Sequence, residues 1–163
     1  MSCVTSQHLV TPGSVNTPGE LQTLRFMPGP ASLRSVDGGP SGILLDIRQQ
    51  FAIAAIGLRS WRVQPRTYEF RLLDQSEREL LVYHWQPEPG QRGPDHPHVH
   101  VSAAWHARIN AVTTRAYDLD KRHLVTGHVS LAMIVRMLIE EFDIASLRPD
   151  WQRLLNRADQ TTG

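Results

Sequence analysis

The chain has 163 residues, of which 40% are hydrophobic, so it is long enough for one domain with a substantial core. Its net charge of +1, with histidine neutral, gives no overall electrostatic case for binding nucleic acid or a membrane surface. The single cysteine, Cys3, excludes an intramolecular disulfide and a multi-cysteine zinc site. The sequence contains no long apolar run and no secretory-type start, so we expect a cytoplasmic protein with no membrane partner.

Residues 1–40 are punctuated by proline and glycine. Such residues mark turns and loops, and the pattern predicts a flexible lead rather than part of the domain. A short apolar island within it is expected to dock onto the domain. The island consists of Leu21, Leu24, Phe26 and Met27.

The next stretch changes in character. Apolar residues recur at three- and four-residue spacing from Ser41 to Trp61, which predicts an amphipathic helix that ends before Pro65. Two β-rich runs then follow, residues 67–73 and 79–85, on either side of the polar turn 74–78, and they predict a hairpin.

Three alternating histidines, His96, His98 and His100, form the most distinctive segment of the chain. Side chains in a strand alternate between faces, so these imidazoles would line one face, about 6.5–7 Å apart. After a loop over residues 86–95, this strand is expected to pair antiparallel with residues 79–85. His84 should then share the same face, within about two residues of register.

Two helices are predicted in the C-terminal part of the chain. Residues 105–122 fit a strand or a short helix followed by a turn, and residues 123–126 fit a short last strand. Ser130 is predicted to cap an amphipathic helix and Asp150 a shorter one. The fold class we expect is α+β, a small antiparallel sheet packed against helices, with one domain over residues 41–159 and a frayed tail over residues 160–163.

Imidazole acid–base chemistry is the first chemistry that the histidines suggest. His98 and His100, with His84 and His123 as further candidates, could act as base and acid in cleavage of RNA through the 2′-hydroxyl, without any cofactor. Binding of an RNA substrate also needs a cationic side chain that stabilises the phosphate and an aromatic side chain that stacks on a base. The candidates for these roles are Arg108, Arg115, Arg122 and Tyr83.

A metal site is the second chemistry. His98 and His100 would supply two ligands, and His84 or His123 a third, with Asp95 or Asp118 as a carboxylate. Three imidazoles with an open position are typical of catalytic zinc. The third interpretation is a solvated polar strand on a non-catalytic protein-interaction module.

The string from His96 to Ser102 is similar to the motif of the histidine-triad nucleotide hydrolases, in which histidine alternates with apolar residues. In that family the middle histidine is the nucleophile that attacks the α-phosphate of a bound nucleotide. The resemblance therefore implies a phosphoester hydrolase with His98 as its nucleophile.

A broader resemblance covers about residues 66–155. Its segments are Tyr68–Asp74, Tyr83–Trp85, Pro97–His100, His123–Leu131 and a helix ending at Phe142. This order resembles small uncharacterised bacterial proteins and the TumE-like toxins of toxin–antitoxin pairs. It implies a bacterial or phage protein that acts on RNA and is bound by an antitoxin. A toxin-like protein with histidine acid–base chemistry is the leading hypothesis.

Overall fold

The structure, a computed structural model, describes residues 1–12, 18–87, 94–102 and 123–161. Within these ranges the strands form one antiparallel sheet in the order β1-β2-β4-β5-β6-β7-β8, with β3 also paired to β4. The strands are β1 (Leu9–Val10), β2 (Gln22–Phe26), β3 (Ala31–Arg34), β4 (Pro40–Gly57), β5 (Ser60–Asp74), β6 (Glu79–Trp85), β7 (His98–Val101) and β8 (Leu124–Val125). The helices are α1 (Leu131–Glu141) and α2 (Trp151–Thr161).

The long hairpin β4–β5 occupies the centre of the sheet, and its strands pair from Ile43↔Asp74 to Gly57↔Ser60. On its other edge β4 has two partners. β2 pairs with residues 48–51 and β3 with residues 40–45. β2 and β3 thus lie one after the other along the same edge of β4.

The predicted helix over residues 41–61 is wrong, because this segment is β4, a turn and the start of β5. Leu45 and Ile47 are fully buried, as alternation in a strand requires. A register shift between Gln50 and Phe51 then inverts the alternation, so that Ala52 is buried next. The bulge hides the two-residue period and leaves apolar spacings that resemble a helix.

The predicted flexible lead is also wrong for the described residues, since β1, β2 and β3 lie within it. Five of its apolar side chains are at most 3% exposed and belong to the core. They are Cys3, Val4, Phe26, Ala31 and Leu33. The prolines and glycines do mark turns, but the short segments between them are strands, and the domain therefore begins well before residue 41.

The hairpin β5–β6 confirms the sequence prediction. Tyr68 pairs with Trp85 and Leu72 with Leu81. In the turn, the Asp74 side chain accepts hydrogen bonds from the backbone amides of Ser76 and Arg78, at 2.8 and 3.0 Å. These bonds satisfy amides that the strands cannot pair.

The sheet has two different faces. One face, which we call the helix face, carries Tyr68, Phe70 and Leu72 of β5, none more than 1% exposed. These side chains form one core with the buried residues of α1, namely Ala132, Ile134, Val135 and Leu138. A sheet packed against helices confirms the α+β prediction, although the sheet is larger than expected.

Both predicted C-terminal helices are present. The Ser130 hydroxyl accepts a hydrogen bond from the amide of Met133, as an N-cap should. α2 begins directly after Asp150 and continues to Thr161, so the predicted frayed tail is wrong for residues 160–161; residues 162–163 lie outside the described ranges. Neither helix in the described ranges is long and apolar enough to cross a bilayer.

The segment after α1 returns to the N-terminal strands. Ala145 donates its amide hydrogen to the Arg34 carbonyl at 2.8 Å, and Leu147 donates to Cys3 at 2.7 Å. Ile144, which is fully buried, forms a bridge with Ser35. The two ends of the described chain are therefore joined through backbone hydrogen bonds.

Replacing Asp150 by asparagine should weaken the acid dependence of stability. Hydrogen bonds from Arg148 and Arg153 lower the pKa of Asp150 from 3.8 to about 2. Because the folded-state pKa is depressed, this carboxylate stabilises the fold above its unfolded pKa, and that contribution is lost as the pH falls through the folded value. As the pH falls from 3.8 to about 2, we expect the melting temperature of the wild type to decrease more steeply than that of Asp150→Asn. Parallel curves from circular dichroism would contradict this.

Candidate metal centre

The face of the sheet opposite the helices, which we call the open face, carries the histidines. β6 and β7 pair antiparallel with His84 opposite His98 and Val82 opposite His100. Directly opposed residues share a face, as do alternate residues of one strand. The predicted geometry, with His84 in register with the histidine strand, is confirmed.

His123 joins the same group from the start of the next strand. β7 pairs with β8 through His98↔Val125 and Val99↔Leu124. Continued by one residue, this register places His123 opposite His100, and their ring centroids lie 4.5 Å apart. The His123 ring is also 4.9 Å from that of His98. We call His84, His98, His100 and His123 the histidine cluster.

Three members of the cluster present metal-ligating atoms to one another. His84, His98 and His100 each offer a ring nitrogen, and these atoms all lie within 4.8 Å of each other. Nitrogen ligands at about 2.0–2.1 Å from a tetrahedral zinc ion are about 3.3 Å apart. The three nitrogens would have to move closer together to bind one ion.

A hydrogen bond to the backbone holds His98 in the tautomer whose Nε2 is free to bind a metal. Its Nδ1 lies 2.8 Å from the carbonyl oxygen of His96. A carbonyl can only accept, so Nδ1 carries the hydrogen and the neutral ring leaves its Nε2 lone pair available. Metal-bound histidines commonly make such a bond through their other nitrogen.

A second observation that favours a ligand site concerns His84. Its Nε2 atom is buried and has no hydrogen-bond partner among the described residues. A buried polar atom left unpaired costs about 1–3 kcal/mol. A ligand bound by the three imidazoles would satisfy this atom.

The electrostatics favour neutral rings. Burial lowers the pKa of His98 below 6.5; the bond to the His96 carbonyl opposes this, and the nearby His84 and His123 rings lower the pKa further. Burial also lowers the pKa of His100, and His123, His98 and His84 add to the effect. Both rings are therefore unprotonated at neutral pH, the form in which imidazole binds metal or accepts a proton.

Two carboxylates that the sequence analysis did not identify lie beside the cluster. Glu69 of β5 is directly opposite His84, and the charge of Glu79, at the start of β6, partly opposes the lowering of the His100 pKa. Both line a surface cavity of about 290 Å³ together with His84 and His100. The register of the predicted hairpin could have identified Glu69, because it decides which residue of β5 lies opposite His84.

Some predicted site residues do not join the cluster. Tyr83 lies on the helix face, opposite Val99 and Phe70, where its hydroxyl donates to the Met137 sulfur at 3.3 Å. Tyr83 therefore does not share the face of the histidine cluster, and its role in stacking a base stays a prediction. Arg108, Arg115, Arg122 and Asp118 lie outside the described residues.

The segment before β7 places the other two candidates at the edge of the cluster. His96 precedes the strand, and its ring centroid is 6.1 Å from that of His98. Asp95 lies 3.5 Å from Nδ1 of His96, and its side chain is 92% exposed. His96 therefore contributes its carbonyl to the site rather than its ring.

The open face also carries an unbalanced pair of arginines. Arg25 of β2 is directly opposite Arg48 of β4, and Arg48 is opposite Glu69. Like charges in direct opposition destabilise a sheet, and in the described ranges no acidic side chain forms an ion pair with either arginine. Arg71, in contrast, is bound to Asp46.

Comparisons with protein-family models, with curated proteins and with solved structures found no match to this chain. Its function is therefore argued from the site alone.

Proposed function

We propose that this protein is a zinc-dependent hydrolase of phosphoester bonds, with His84, His98 and His100 as metal ligands. The observation that carries the proposal is the group of three ring nitrogens, one from each histidine, that lie within 4.8 Å of one another. The Nε2 atom of His84, buried and without a hydrogen-bond partner among the described residues, supports it. Three imidazoles and an open fourth position are the arrangement of catalytic zinc. Zinc in such a site lowers the pKa of a bound water to about 7 and polarises a phosphoryl oxygen.

The charges of the open face support an anionic substrate. Arg48 and His84 lie in one cross-strand row, two strand spacings or about 10 Å apart, with Glu69 between them. Arg25 extends this row by one strand and lines a cavity of about 630 Å³ with Arg48 and Arg71; Asp46, which binds Arg71, and Glu77 line the same cavity. A phosphate bound by the arginine pair would relieve its repulsion.

The fourth histidine has a separate role in this proposal. The His123 ring contacts those of His98 and His100 but is not one of the three grouped ligands, and the residue is exposed. A solvent-facing imidazole beside the metal is placed to donate a proton to the departing oxygen. His123 would therefore act as general acid.

A second candidate is metal-free cleavage of RNA by the same histidines. The lowered pKa values of His98 and His100 favour it, because a neutral imidazole in contact with another is suited to act as general base. This is the activity implied by the resemblance to TumE-like toxins, and an antitoxin would be its protein partner. A non-catalytic interaction module would show neither metal binding nor cleavage.

Metal analysis of untagged protein tests the proposal. We expect about one zinc ion per chain, and free zinc at about 100 times Kd should stabilise the fold by about 2.7 kcal/mol. Hydrolysis of a model phosphodiester and of mixed RNA should stop in EDTA and return with zinc. A zinc content near zero with EDTA-resistant RNA cleavage would instead support the metal-free mechanism. Absence of both metal and cleavage would support the interaction module.

The pH dependence of zinc binding should follow the ligands. Because burial holds the pKa values of His98 and His100 below 6.5, protons compete with zinc only at lower pH. We expect the affinity to change little between pH 8 and about 6.5 and to fall steeply below that range. Titration calorimetry at several pH values would measure it, and an affinity already falling at pH 8 would contradict neutral ligands.

A further inference from the structure

The outer end of the β4–β5 hairpin extends beyond the rest of the sheet. β2 pairs with β4 only as far as Phe51, and β6 pairs with β5 only from Tyr68 onward. Residues 52–66, which we call the arm, therefore pair almost entirely with one another. In the described ranges, the additional backbone bond to the arm is from the Gly19 amide to the Ile53 carbonyl, at 3.0 Å.

The arm presents large apolar side chains to solvent. Leu58 at the tip is 106% exposed, and Ile56, Trp61 and Val63 are each more than half exposed. The pairs Ala55↔Trp61 and Ile53↔Val63 place the last two on one face of the arm. Apolar surface concentrated in this way marks an interaction site.

The same segment is strongly basic. The sequence has no aspartate or glutamate between Ile47 and Tyr68, whereas the arm carries Arg59, Arg62 and Arg66, all exposed. The arm therefore complements an anionic partner. Pairing with the arm of a second copy would bring like charges together and is disfavoured.

The combination of side chains selects among anionic partners. Phosphates and bases of a nucleic acid would use the arginines and Trp61, but Leu58, Ile56 and Val63 would gain little from them. A lipid surface interacts favourably with the aliphatic side chains, the tryptophan and the arginines alike. Aliphatic side chains enter the acyl region, tryptophan favours the interface, and arginine is attracted to anionic headgroups.

Although the net charge of the whole chain led us to expect no membrane partner, we propose that the arm docks on an anionic membrane surface, with Leu58 and Ile56 inserted at its tip and the arginines at the headgroups. The docked hairpin keeps the cross-strand pairing that runs from Ala52↔Gln64 to Gly57↔Ser60, with one irregularity at Ile56. This interaction is independent of the histidine cluster and of any reaction there.

Sedimentation with vesicles tests the proposal, using the full chain and two lipid compositions, phosphatidylcholine alone and an equal mixture with phosphatidylglycerol. We expect binding to the anionic vesicles only, weakened about tenfold or more in Leu58→Ser and about fivefold for each arginine replaced by glutamine. Val36→Ser is the matched control, because Val36 is also an exposed apolar side chain, 61% accessible, but lies outside the arm. Unchanged melting temperatures would show that each variant is folded.

Several results would overturn the proposal. These are equal binding by Leu58→Ser and Val36→Ser, or no binding of the wild type to anionic vesicles. A dimer that Leu58→Ser dissociates would identify a second copy as the occupant instead. Arm-dependent binding of single-stranded RNA, without vesicle binding, would identify a nucleic acid.

Discussion

Replacing His98 by alanine is expected to abolish stoichiometric zinc binding and the hydrolysis that depends on it. His98 lies at the centre of the cluster, with ring centroids 5.2 Å from His84 and 5.0 Å from His100. Loss even of an outer hydrogen-bond partner costs about 10–100-fold in metal affinity, so loss of a ligand should cost at least about 100-fold. Titration calorimetry with zinc and a rate assay on the same preparation would measure both losses.

His123→Ala is the matched control for that experiment. In the proposed mechanism His123 does not bind the metal, so this variant should keep its zinc and lose about 10²–10⁴-fold in rate. Loss of zinc from His123→Ala, with zinc retained by His98→Ala, would reverse the assignment of ligands. His98 is only 2% exposed, so melting curves of the metal-free proteins must show that both variants are folded.

Replacing Phe70 by alanine is expected to have the largest effect on stability. Phe70 is fully buried, and its ring stacks on Tyr68 with centroids 4.9 Å apart and planes 6° from parallel. A buried Phe→Ala change costs about 3–5 kcal/mol, from lost burial and from the cavity that remains. For a chain of this size the melting temperature should fall by about 6–20 °C.

Denaturant unfolding of Phe70→Ala and of Val63→Ala would measure this difference. Val63 lies on the same strand but is 58% exposed, so its replacement should change the free energy of unfolding by less than about 0.5 kcal/mol. Phe70 is on the helix face, and the folded fraction of its variant should still bind zinc. Equal destabilisation by the two changes would mean that the core does not lie between this face and α1.

The elements that the sequence predicted correctly carry strong local signals. β6 is a continuous run of residues that favour strands, a polar turn around Asp74 precedes it, and Ser130 stands directly before an apolar helical stripe. The shared face of His84, His98 and His100 followed from alternation together with a short connection. Each of these signals lies within a few residues of the structure that it predicts.

The elements that were missed depend on distant pairing. The alanines around Ile53 favour a helix in isolation, and β4 is a strand because β2, β3 and β5 pair along it. The place of Glu69 beside His84 and the opposition of Arg25 and Arg48 likewise depend on cross-strand register. Spacing along the chain cannot reveal such neighbours without knowledge of which strands pair.

The backbone bonds from Ala145 to Arg34 and from Leu147 to Cys3 have a consequence for synthesis on the ribosome. Cys3 and Arg34 are synthesised well before the residues that bind them, because Ala145 and Leu147 follow α1 in the chain. The β4–β5 and β5–β6 hairpins can form while translation continues, since their partners are close in sequence. The N-terminal segment, in contrast, cannot complete the core that Val4 and Leu33 share with α1 until that helix has been made, so this is the interval in which a chaperone would be needed.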